Sequence, residues 1–243
     1  MIYISRITNK RPVDERTEYP YNIPSILNIN EFEFSNSVTF IIGENGSGKS
    51  TFIEALAICA GFNPEGGSLF LNYRTYDSHS NLFNDFKLGR SAYRNKDGYF
   101  LRAESFYNVA SEIDRISSIG QKIKNYGGAL HERSHGESFL ALAQNRLGGN
   151  GLYIFDEPES ALSITSQLKL LIRIKELVDN KSQFVIATHS PILLAYPDAN
   201  IYNVTKKGLE LIKYEDTEQY GLMKYFINNY SKVLDELKIR SIS

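Results

Sequence analysis

A single cysteine, Cys59, in 243 residues excludes any disulfide within the chain. It lies at the end of an apolar stretch, residues 52–58, where a small buried hydrophobe is the ordinary reading. The sequence has no run of roughly eighteen apolar residues, so no segment is long enough to cross a bilayer as a helix. Its first residues, Met1-Ile2-Tyr3-Ile4-Ser5-Arg6, lack the charged-then-apolar layout of a secretion signal, and the expected location is cytoplasmic. Charge of one sign is missing as well: a formal net charge of -1 gives no global attraction to a polyanion. Arg90, Arg94, Lys96 and Arg102 gather with Tyr93 and Tyr99 between them, which leaves nucleic-acid binding open, since such residues form a groove only if they cluster in space. Sustained heptads are absent, which excludes a long coiled-coil arm.

What the sequence has is enough apolar residue, 42%, to bury one sizeable core, and three strand-like runs that each end in chemistry. In the first, Val38-Thr39-Phe40-Ile41-Ile42 leads into Gly43-Glu44-Asn45-Gly46-Ser47-Gly48-Lys49-Ser50-Thr51. Glycines at these spacings permit positive φ and close backbone approach, so consecutive N–H groups cradle a phosphate at a helix N-terminus. Lys49 adds a point charge for the β- and γ-phosphates, and Ser50 offers a hydroxyl to Mg²⁺. These features predict a nucleoside-triphosphate site.

In the second run, Leu152-Tyr153-Ile154-Phe155 enters Asp156-Glu157-Pro158, placing two carboxylates at the C-terminal edge of a strand, where α/β sheets hold ligands. Asp156 is suited to support the metal and Glu157 to polarise the attacking water. The third run, Val185-Ile186-Ala187-Thr188-His189-Ser190-Pro191, ends on one of 4 histidines, at the edge where a γ-phosphate would lie.

Phosphate loop, strand-Asp-Glu and strand-His, in that order, resemble the head of ABC-type ATPases, closest in type to soluble SMC-like and RecF-like heads and bacterial AAA-family ATPases. The resemblance implies an α/β P-loop fold with a mixed, mainly parallel central sheet, an antiparallel β subdomain and a small helical lobe. It implies binding of ATP with Mg²⁺, ATP hydrolysis in a nucleotide-dependent homodimer, and roles in DNA maintenance or defence. A separate effector chain, or a membrane transporter energised by this subunit, are the rival settings. Residues 159–163 resemble the loop that communicates across the dimer, and His189 the switch histidine that contacts γ-phosphate.

Ser134 and Gly136 fall where the family carries its signature motif, with His135 replacing the first glycine; this departure favours a regulator with little turnover. No glutamine loop follows Gly98-Tyr99-Phe100-Leu101; Arg102, Glu104 and Asn108 are the available substitutes, and Glu104 is the one chosen for the metal and its water. An aromatic stacked on adenine is expected before the phosphate loop, from Tyr19 or Tyr21, with Tyr21 preferred. The expected division is a core lobe of residues 1–61 and 148–243 and a helical lobe of residues 62–147. Leu168, Leu171, Ile172, Ile174, Leu177 and Val178 predict an amphipathic helix packed on the sheet.

Overall fold

A computed structural model describes residues 1–69, 80–106 and 135–239. Its spine is a seven-stranded sheet in the order β10-β9-β3-β8-β7-β6-β4, built from β3 (Val38–Ile42), β4 (Gly67–Ser68), β6 (Asp97–Arg102), β7 (Gly151–Asp156), β8 (Gln183–Ala187), β9 (Asn200–Thr205) and β10 (Gly208–Ile212). The five strands β9, β3, β8, β7 and β6 are parallel, and β10 and β4 close the two edges in antiparallel pairing. A second, antiparallel sheet pairs β1 (Ile4–Asn9) with β2 (Glu31–Glu33) and β5 (Phe86–Arg90).

All five residues of β3 and of β8 are buried, as are all six of β7, because helices or the second sheet cover both faces of the central sheet. Strand alternation sorts these side chains into two cores. Phe40, Tyr153, Phe155, Phe184 and Ile186 face one core, and Ile41, Leu152, Ile154, Val185 and Ala187 face the other.

The helices are α1 (Pro24–Leu27), α2 (Lys49–Ala60), α3 (His135–Asn145), α4 (Ile164–Asp179), α5 (Pro191–Leu194) and α6 (Glu218–Glu236). The second core takes α2, through Phe52, Ile53 and Leu56. The first takes α3, through Phe139 and Leu142, and α4, through Leu170, Ile174 and Leu177. On α4 the buried row is thus one step from part of the expected face: Leu168 and Ile172 are 50% and 62% exposed. No residue of α6 is buried.

Residues expected in the helical lobe contribute β5 to the antiparallel sheet and β6 to the main one, where it lies between β7 and the edge strand β4. Ser134 and Asn108 lie outside the described residues. Register then aligns the chemistry: Arg102 on β6 sits opposite Asp156 on β7, and Asp156 opposite Ala187 on β8, at the same edge where β3 runs into the phosphate loop.

Candidate nucleotide site

The loop between β3 and α2 turns on Gly43, Gly46 and Gly48, with φ of 150°, 77° and 96°. Gly43 is also sterically required, since a Cβ there would stand 3.0 Å from the Val204 carbonyl oxygen on β9. The loop is tied from below by the Ser25 hydroxyl, which donates to the Ser47 carbonyl. Lys49, only 4% exposed, donates through Nζ to the carbonyls of Gly43 at 2.8 Å and Glu44 at 2.9 Å, inside the loop's own curl. Burial lowers the pKa of this ammonium, while the carboxylates of Glu157, Asp156 and Glu159 pull it back up.

The Ser50 hydroxyl donates to Asp156 Oδ1 at 3.2 Å, joining the start of α2 to the end of β7. Asp156 is 8% exposed. Burial pushes its carboxyl up to about 6, against the pull of Arg102 and the Ser50 hydrogen bond. A buried carboxylate beside a hydroxyl is a pair of hard oxygen donors that suits Mg²⁺. Among the described residues no group of three or more His, Cys, Asp or Glu is placed to hold a metal by itself.

Glu157 takes a left-handed conformation, φ 52° and ψ 53°, pinned by its N–H to the Ala187 carbonyl at 2.9 Å. A non-glycine residue in this region is uncommon and turns its side chain out of the strand direction. Here it turns toward the loop: Glu157 lines the same cleft of about 370 Å³ as Lys49, Ser50 and Thr51. His189 Nε2 stands 3.6 Å from Glu157 Oε1 and is enclosed without a hydrogen-bond partner. The residues Lys49, Ser50, Asp156, Glu157 and His189, separated by up to 140 positions, therefore converge on one edge of the sheet.

Other expected site residues lie elsewhere. Tyr21 is 3% exposed, its hydroxyl bonded to Asp85 at 2.9 Å and Asn9 at 3.2 Å and its ring flanked by Arg11 and Arg16, so it has no free face for a base. Tyr19 is 63% exposed. The Glu104 side chain is 89% exposed and pairs with Arg102 at 3.6 Å rather than with Ser50. Arg102 makes its shorter pair with Glu54 of α2, at 2.7 Å. Of the basic cluster and its aromatic residues, Arg102 is thus engaged with Glu54 and Tyr99 lies in the core.

Gly136 lies at the start of α3, where a Cβ would meet the Ala161 carbonyl oxygen at 2.5 Å. The signature-like segment thus packs closely on the loop that follows Glu157. A further residue, Glu159, was legible in the sequence only as part of that loop; its Oε1 accepts the main-chain N–H of His189 at 2.6 Å.

A strand-loop-helix phosphate cradle facing a strand-borne Asp-Glu pair and a strand-borne histidine defines a P-loop ATPase of the ABC type. The chain belongs to the AAA-domain family, whose model matches residues 22–236. An uncharacterized ABC transporter ATP-binding protein of Haemophilus influenzae is 28% identical over 68% of this chain and 69% of its own length. The aliphatic sulfonates import ATP-binding protein SsuB 1 of Paracoccus denitrificans is 30% identical over 76% of this chain and 70% of its own. Among solved structures, the SMC head domain from Thermotoga maritima covers 87% of this chain and 99% of its own at 18% identity, with a TM-score of 0.43. Among the described residues no helix is long and apolar enough to cross a membrane.

Proposed function

We propose that the chain binds Mg-ATP between the phosphate loop and the β7–β8 edge and hydrolyses it in a head-to-tail pair of copies. The observation that carries this reading is the Ser50–Asp156 contact at 3.2 Å, with Glu157 lining the same cleft as Lys49. Lys49 gives up its two loop carbonyls for the β- and γ-phosphate oxygens. Ser50 and Asp156 would hold Mg²⁺, which would supply neutralisation of the phosphate charge. Glu157 orients and polarises the attacking water, and His189 bears on the γ-phosphate.

With the γ-phosphate on the Glu157 and His189 side, the nucleoside runs to the opposite flank of the loop, toward β9. There a cavity of about 570 Å³ lies between Ile23, Pro24, Lys206 and Gln219, large enough for a base and ribose. This replaces the expected stack on Tyr21.

Each site is completed by the second copy's residues 134–136, whose switching energy comes from contacts made only when γ-phosphate is present. The test is the mass in solution of Glu157→Gln with and without Mg-ATP. A nucleotide-driven doubling, blocked by Ser134→Arg, supports the paired site; an unchanged monomer contradicts it.

A further inference from the structure

Three hydrogen-bond braces tie the loop after β7 to the end of β8 and the loop that follows it. The Glu157 N–H donates to the Ala187 carbonyl at 2.9 Å. The His189 N–H donates to Glu159 Oε1 at 2.6 Å. Gln167 of α4 spans both loops, donating to the Leu162 carbonyl at 3.1 Å and accepting from the Ser190 hydroxyl at 2.5 Å. The middle brace differs in kind, because a carboxylate holds a main-chain N–H directly at the residue expected to meet γ-phosphate. Such charge-assisted bonds are roughly twice as strong as neutral ones.

The other carboxylate oxygen of Glu159, Oε2, is enclosed without a hydrogen-bond partner. Leaving a carboxylate oxygen buried and unpaired is costly, so the group is held in place by the structure around it. Pro158 is buried and Glu157 is pinned in the left-handed region, which fixes where Glu159 emerges. The same loop carries the Ala161 carbonyl, against which Gly136 packs with no room for a Cβ.

We propose that Glu159 is a positioning residue for hydrolysis: it sets the place of His189 relative to Glu157, and it links both to the signature-like segment through Ala161 and Gly136. This inference rests on the assignment of Glu157 and His189 to the γ-phosphate end of the site. Glu159 touches no reacting atom in this scheme.

The test is steady-state ATP hydrolysis and nucleotide affinity of Glu159→Ala, Glu159→Gln, His189→Ala and the double variant Glu159→Ala/His189→Ala, with Glu157→Gln as reference. Loss of alignment predicts a fall in kcat of about ten- to a hundredfold for Glu159→Ala, with KM and ATP affinity changed less than about twofold. Glu159→Gln, which keeps an acceptor oxygen at the same reach, recovers most of that loss. In the His189→Ala background, removing Glu159 costs no further activity, because its effect runs through the histidine. Additive losses in the double variant, or a wild-type kcat in Glu159→Ala, would overturn the proposal. An unimpaired rate in Glu157→Gln would instead overturn the site assignment beneath it, so the two failures are distinguishable. Thermal melting separates a folding defect in the alanine variant, and Glu159→Gln keeps the question open to measurement in that event.

Discussion

The hydroxyl of Ser50 donates to Asp156 Oδ1 at 3.2 Å, across 106 positions of sequence, and so joins the phosphate loop to the carboxylate strand. Around this contact Lys49 feels the carboxylates of Glu157, Asp156 and Glu159 together, and Asp156 in turn feels the Arg102 guanidinium.

In the proposed site Lys49 is the cation that meets the phosphates. Its replacement by alanine removes a charge-assisted bond to each of two phosphates, worth ~1.5–3 kcal/mol apiece. Lys49→Ala is expected to weaken Mg-ATP binding by about a hundredfold or more, read by titration with a fluorescent nucleotide, while the melting temperature stays close to wild type.

Asp156 is a buried carboxylate that the nucleotide-free protein keeps at a cost. Asp156→Asn retains an acceptor for Ser50 and removes the charge, so the free protein is expected to melt higher by a few degrees, on the order of 2–4 °C per kcal/mol recovered. The same variant loses the rise in melting temperature that Mg²⁺ adds to ATP. A lower melting temperature in the free variant would contradict this.

Arg102 and Glu54 pair at 2.7 Å with side chains 20% and 9% exposed, bracing β6 against the helix that follows the phosphate loop. Glu54 also accepts the Ser80 N–H at 3.0 Å. Arg102→Ala leaves that carboxylate without its cation and is expected to cost about 3 kcal/mol in denaturant unfolding. The double change Arg102→Met/Glu54→Gln is expected to recover part of the loss.

Cys59 donates its thiol to the Phe83 carbonyl at 3.2 Å, and burial pushes its pKa up to about 11. At pH 8 the thiolate fraction is then about a thousandth, so alkylation by iodoacetamide is expected to be slow and to rise about tenfold per pH unit toward pH 11. The linkage has one sign. The folded chain holds this proton more tightly than the unfolded chain, so the contribution is intact below pH 9, the ordinary thiol value, and is lost as pH rises through about 11.

The motifs were legible because each is local: a short, mainly apolar run makes a buried strand, and the functional residue follows at once. What depended on distant partners was not. Leu168 and Ile172 belong to one 3.6-residue row on α4 and Leu170, Ile174 and Leu177 to the next, and only the sheet decides which row is covered. Tyr21 was the aromatic expected to stack on adenine, yet Arg11, Arg16 and Asp85 close around it in the fold. Strand β6 pairs with β7 across more than fifty residues of sequence, and no local pattern around Gly98 to Leu101 marks that partner. Arg102, weighed as a glutamine-loop substitute, was claimed by a glutamate on α2 that no motif marks.

The central claim is that Glu157, turned out of β7 by its left-handed backbone, is the base that activates water at the γ-phosphate. The most direct measurement is ATP hydrolysis by Glu157→Gln beside its affinity for Mg-ATP. The account predicts a rate lower by about 10²–10⁴-fold with nucleotide binding retained; an unimpaired rate would contradict it.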